Sequence, residues 1–264
     1  MTDPLLRLYP PGYRAAHGVE ILEVHRELTM DLPRVARLRA DADLVAHALR
    51  VRLGLDSASA AGRFFALAAP FALGVAAAYG GIHLMKWYAG VALSPGSTWS
   101  HLAAMDVAGA LNVVLLGMVS AGAVAALVRW WVPGMVVAVL GLLGFAVQWT
   151  VAPALYGDGP FEPIAAVLTI LVVLGCPPDR RGDRRLAVMA GAMAAIAWFP
   201  VALVQTRSFI FSTDYGAWPL LTLACTGVVL TLRARPLGLR ALGAMAAASP
   251  LFLAQAFTTG WLFT

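Results

Sequence analysis

Along most of this chain the apolar positions do not alternate with polar ones; they run on without interruption. Uncharged stretches cover 64–85, 107–128, 130–157, 163–178, 186–206, 215–232 and 241–264. A helix needs roughly 20 apolar residues to cross about 30 Å of hydrocarbon, and most of these stretches approach or exceed that length. They predict seven membrane-spanning helices, at about 64–85, 103–128, 132–153, 160–177, 186–204, 215–232 and 241–263. A further uncharged stretch, 87–105, contains Ser94-Pro95-Gly96-Ser97-Thr98 and is expected to form a loop. The fourth uncharged stretch, Pro163 to Pro178, is the shortest, and its span is taken to start near Gly159 or Pro160.

The first 58 residues have a different pattern. Asp3-Pro4 marks a helix start, and that helix should end before Pro10-Pro11. A second helix is expected from about Gly12 to Leu28, with Tyr13, Ile21, Leu22, Val24 and Leu28 as its apolar positions. Asp31 and Pro33 punctuate the start of a third, which reaches about Leu55. Its residues Val35, Leu38, Ala42, Val45, Leu49 and Leu53 recur at spacings of three and four, on one face. The expected fold is therefore all-α: a polytopic membrane helix bundle over 59–264, behind an N-terminal cytoplasmic helical hairpin over 1–58. No signal peptide is expected, because the first sixty residues lack an apolar core region.

Charge sharpens this division. Only 12% of the chain is charged, about half the share of a soluble domain, and residues 1–63 hold 17 of the 33 charged side chains. A net charge of +5 is compatible with nucleic-acid binding, but the arginines outside the prefix sit at the ends of apolar runs, where orientation signals belong. No nucleic-acid partner is expected. With the N-terminus inside and seven crossings, the inner loops carry Arg129, Arg180, Arg181, Arg184, Arg185, Arg233, Arg235 and Arg240. The outer loops carry only Lys86 and Arg207. This positive-inside bias predicts an N-in, C-out protein, and deleting the short fourth span would place four arginines outside.

The prefix also carries a resemblance. Leu5-Leu6-Arg7-Leu8-Tyr9-Pro10, then Tyr13-Arg14, then Gly18-Val19-Glu20-Ile21 resembles the permease prefix segment. That segment precedes the membrane part of some bacterial ABC-type permeases and of small actinobacterial membrane proteins often encoded beside PadR-like regulators. The whole layout is similar to uncharacterised actinobacterial polytopic membrane proteins with such a prefix. The resemblance implies a multi-pass protein of the bacterial inner (plasma) membrane and supplies no catalytic residues.

Motifs for chemistry are missing. Lys86 does not follow a glycine-rich phosphate loop, and there is no HExxH zinc pair and no GxSxG nucleophile elbow. No enzyme activity, catalytic residue, metal site or cofactor is expected. His17, Glu20, Glu23, His25 and Glu27 form the densest ligand-like cluster, read as a solvated face balanced by Arg14 and Arg26. Cys176 and Cys225 are read as small buried hydrophobes. Ligand or ion candidates are Asp106, Asn112, Gln148, His83 and His101, because polar side chains at membrane depth are costly.

Two functions fit this inventory. One is a signalling or regulatory protein, with the prefix as the element for a protein partner or self-association. The other is a transporter or permease component with a path near Asp106, Asn112 and Gln148. The charge pattern makes a topological prediction. Cysteines introduced near Ser97 and Asp158 should react with an impermeant thiol reagent added to intact cells. Cysteines at Arg180–Arg185 should not, and their labelling from outside would overturn the seven-crossing arrangement.

Overall fold

The computed structural model describes residues 4–151, 160–207, 217–233 and 238–258. Every regular element among them is helical. The chain divides into two units, residues 1–63 and 64–264.

In the first unit a 3-10 turn, Pro4–Leu8, precedes α1 (Pro11–Thr29) and α2 (Arg34–Arg52). Both helices begin immediately after a proline, Pro10 and Pro33, whose backbone is extended rather than helical. The turn is the centre of the small core: Leu6 and Tyr9 are buried against Ala48, with Ile21, Leu22, Leu44 and Val51 packed around them. The face of α2 that meets this core thus contains Leu44, Ala48 and Val51. The predicted stripe lies elsewhere: Val35, Leu38, Leu49 and Leu53 are exposed. Beyond α2, Ser59 caps the next helix by accepting from the Gly62 amide at 2.8 Å.

The second unit is built around α3 (Ala60–Leu93), whose 34 residues span about 51 Å, longer than the hydrocarbon core. Its apolar window is 78% buried, against 33% for α5 (Val107–Val128), 39% for α6 (Trp131–Val151) and 33% for α8 (Arg184–Arg207). Those three helices show Val107, Val114, Leu140, Val147, Val188 and Ile196 on their exposed faces, as lipid contact requires. α7 (Phe161–Leu174) packs on α6, and α9 (Trp218–Arg233) packs on α8. α10 (Gly238–Ala248) and α11 (Pro250–Thr258) pack on α9 and α7.

Among the described residues, four helices are long and apolar enough to cross a membrane, or five if α10 and α11, bent by 56° at their junction, form one span. The protein is therefore an all-helical membrane protein. The bend has a local cause, since Pro250 has no N–H to donate, and Ser249 turns back to Ala246 through both its amide and its hydroxyl. α7 and α9 are apolar but short, at 14 and 16 residues, or about 21 and 24 Å.

Two expectations need correction. The stretch 87–105 is mostly helical: α3 continues to Leu93, and α4 (Thr98–Ala104) follows the break at Ser94–Ser97. Pro95 and Gly96, the latter at φ +127°, account for the break itself but not for the residues around it. Cys176 is buried as expected, whereas Cys225 is exposed on α9.

Glycines set the closest helix contacts. A Cβ on Gly122 would meet the Ala138 amide nitrogen of α6 at 2.5 Å and the Gly134 carbonyl oxygen at 2.8 Å. Gly134 makes the reciprocal approach to Ala126 of α5. The obstacles are backbone atoms and cannot swing aside. Gly117, on another face of α5, has nothing within 4 Å of the same position. Gly122→Ala or Gly134→Ala should therefore destabilise the detergent-solubilised protein by about 1–3 kcal/mol. Gly117→Ala should leave its thermal midpoint unchanged or raise it slightly, given the ordinary cost of glycine in a helix.

Candidate functional site

The expected ligand candidates lie in two places. Asp106 is the N-cap of α5: its carboxylate accepts from the Gly109 amide at 2.9 Å, and its carbonyl accepts from Ala110 at 3.0 Å. The residue is exposed. Gln148, buried near the end of α6, donates through Nε2 to the Ala108 carbonyl of α5 at 2.6 Å. This bond removes a buried amide's desolvation cost by joining two neighbouring helices. Asn112, half-buried one turn beyond Ala108, is also engaged in an interaction. Asp106, Asn112 and Gln148 thus surround the start of α5, where the bonds of Asp106 and Gln148 are those of a cap and an interhelical tie.

His83 and His101 belong to different elements. His101 lies on α4, its Nε2 buried without a protein hydrogen-bond partner. His83 is on α3, its ring centroid 4.3 Å from that of Tyr79, and its Nε2 is likewise buried without a protein partner.

Around His83 the structure brings together a cluster that the sequence reading passed over. Tyr79, His83 and Lys86 are spaced i, i+4 and i+7 along α3, so they share one helical face. Glu162, in the first turn of α7, is 6% exposed, and among the described residues it is the only acidic or basic side chain that is fully buried. The Tyr79 hydroxyl and the Lys86 ammonium both lie near its carboxyl, and the lysine attracts it electrostatically. Glu162 shares its phase with Ala166, Thr169 and Val173, all buried, while Phe161, Ile164, Leu168 and Leu171 are exposed. The carboxylate therefore faces the bundle interior. Phe145 of α6 closes the other side, its ring edge-on to Tyr79 with centroids 6.3 Å apart.

Two cavities accompany these groups. One, of about 700 Å³, lies among α3, α5 and α8 and is lined by Gly81, Met85, Ser120, Val124, Gly191 and Trp198. Its wall is almost wholly apolar, which suits an acyl chain or a neighbouring helix better than a polar substrate. The other, of about 500 Å³, belongs to the prefix and includes Tyr9, Tyr13, His17, Glu20, His25 and His47 in its wall. Tyr9 and Tyr13 stack with centroids 5.6 Å apart, and the Tyr13 hydroxyl lies 3.5 Å from His47 Nε2. Burial, then the positive charge of Arg50, holds the His47 imidazole below its ordinary pKa, partly offset by Asp56. His25 turns away from the acidic face of α1 to Asp41, at 3.0 Å, while His17 Nδ1 stands 3.7 Å from Glu20. Among the described residues no group of three or more potential ligands is placed to hold a metal ion.

Comparisons with protein-family models, curated proteins and solved structures return no match to this chain.

The cap geometry makes Asp106 separable from chemistry. Asp106→Asn keeps an oxygen acceptor for Gly109 and should leave the thermal midpoint near that of the parent. Asp106→Leu should cost about 1 kcal/mol, the usual loss for a missing N-cap. Equal stability of the two variants, followed by calorimetry or circular dichroism in detergent, would show that the cap contributes nothing.

Proposed function

We propose that this chain is a non-enzymatic multi-pass protein of the bacterial plasma membrane, in which the cytoplasmic prefix docks a protein partner for signalling or regulation. In this reading the bundle crosses seven times with the N-terminus inside; α7 and α9 cross where the bilayer is thinned, and α10 with α11 forms one bent span. The observation that carries the reading is the exposed stripe of α2. Val35, Leu38, Leu49 and Leu53 are between 51% and 68% exposed, and the prefix core is formed by a different face of the same helix. Each such side chain gains roughly 1.5–3 kcal/mol on full burial, so the stripe favours a surface that covers it.

Protein suits that role better than lipid. Residues 1–63 carry nine arginines and eight acidic residues, and attraction to anionic headgroups, about 1 kcal/mol per basic residue near the surface, is largely cancelled by neighbouring acids. Helices that lie on membranes are instead rich in basic residues on their polar face. The resemblance of the prefix to segments preceding permease domains is compatible with a coupling role.

A transporter or permease component is the second reading. Its support comes from Glu162 with Lys86 rather than from Asp106, Asn112 and Gln148, since an ionisable group facing a bundle interior is a functional candidate by default.

The first reading is tested in the full chain. Leu38→Glu with Leu49→Glu should leave membrane insertion and helicity unchanged but abolish cross-links from the prefix to a stoichiometric partner. Cross-links that survive the double substitution would remove the support for partner docking, as would prefix adsorption to anionic vesicles that disappears in high salt.

A further inference from the structure

Burial of Glu162 demands an account that the partner-docking reading does not supply. A carboxylate offers about four lone-pair positions to donors. In water all are solvated, whereas inside the bundle water is excluded and the Tyr79 hydroxyl is a neighbouring polar group. Lys86 adds attraction along the same helical face, and the first turn of α7 adds the favourable end of a helix dipole. Among the described residues, the helices that pack on α7 give little further charge. α6 and α11, which pack on α7, contain no acidic, basic or histidine side chain, and α10 contributes only Arg240, which is exposed. The charged form of Glu162 thus rests on a short set of supports, and desolvation opposes all of them.

His83 supplies the second observation. It lies between Tyr79 and Lys86 on the same face of α3, its ring tilted 42° to that of Tyr79, with Nε2 buried and no protein group bonded to it. A neutral imidazole nitrogen in that position can accept or pass a proton, and a lysine at the next turn leads toward the end of the helix that carries Trp87 and Tyr88. Tyr79, His83 and Lys86 thus occupy about 10 Å of one face of α3 near the Glu162 carboxyl of α7, and among the described residues no metal-ligand set accompanies them.

We propose that Glu162 is an intramembrane proton-binding site, with Lys86 setting its occupancy and His83 and Tyr79 lining its approach. On binding, one Glu162 carboxylate oxygen forms an O–H bond with a proton drawn from bulk water. The Glu162–Lys86 pair then changes from net zero to one positive charge, and release returns the same proton and restores the pair. No oxidant, reductant or second substrate is involved. The inference does not rest on the prefix as a docking element, and either can fail without the other.

A hydrophobic carbodiimide tests it, because such reagents add to carboxylic acids that are protonated in apolar surroundings and leave a stable acylurea. The full chain in lipid nanodiscs would be treated across about pH 5 to 9 and the modified peptide quantified by mass spectrometry. Glu162 should be modified, and the yield should fall roughly tenfold per pH unit above its midpoint, as for a single titrating carboxyl. Asp106, exposed at its cap, should remain unmodified. Lys86→Met removes the attraction that favours the carboxylate and should move the curve to higher pH, while Lys86→Arg should leave it near the parent position. Absence of modification over the whole range in the folded parent protein would overturn the proposal and leave a fixed ion pair. Modification that does not vary with pH would also overturn it, as would an unmoved curve in Lys86→Met. Because the parent chain gives the primary curve, the test survives a variant that fails to fold.

Discussion

The bilayer core has no hydrogen bonds to offer, and that constraint accounts for most of what this chain does. Backbone groups must be satisfied within each crossing segment, so the elements are helices. Side-chain hydroxyls follow the same rule: Thr169, Thr222, Thr226 and Thr231 each donate to the carbonyl four residues earlier, at 2.8–2.9 Å. Trp218 of α9 donates to the Ile196 carbonyl of α8 at 2.9 Å, and Gln148 ties α6 to α5. Polar side chains here serve as joints between helices or as bonds within one. Glu162 differs from them, because it buries an ionisable group in the same environment.

How much of this was legible in the sequence depends on range. Apolar run length is a local property, and it located every long helix. It was less exact about length, because residues 160–177 and 215–232 read as full spans while α7 and α9 run over Phe161–Leu174 and Trp218–Arg233, 14 and 16 residues. The loop assigned around Ser97 shows the complementary failure. Proline and glycine mark a break of a few residues, and uncharged flanks such as Trp87–Leu93 remain helical beside it.

The candidate site was harder to read for a related reason. Asp106 drew notice because it interrupts an apolar run, yet such interruptions are also where caps belong, and its bond to Gly109 is local. Glu162 drew no notice because it sits between two prolines, next to the uncharged run 163–178 and just inside the span expected over 160–177. The signal that could have found it is phase: Glu162, Ala166, Thr169 and Val173 share a face of α7, as Tyr79, His83 and Lys86 share a face of α3. Phase says which side a residue takes, but only tertiary structure says that the two sides meet. In the prefix the same ambiguity ran the other way. The stripe of α2 was correctly aligned, but Leu44, Ala48 and Val51, rather than that stripe, meet the turn at Leu6 and Tyr9.

The seam between α5 and α6 also bears on how the chain enters its membrane. Only Arg129 and Trp130 separate the two helices, and the Trp130 amide returns to the Ala125 carbonyl at 2.9 Å. Gly122 and Gly134 face each other across that short link, so this contact needs no other part of the chain to form. The pair is thus suited to partition into lipid as one preassembled hairpin during synthesis. Defects in its seam would accordingly surface first as lost insertion yield and proteolytic clearance, before any activity of the mature protein is at stake.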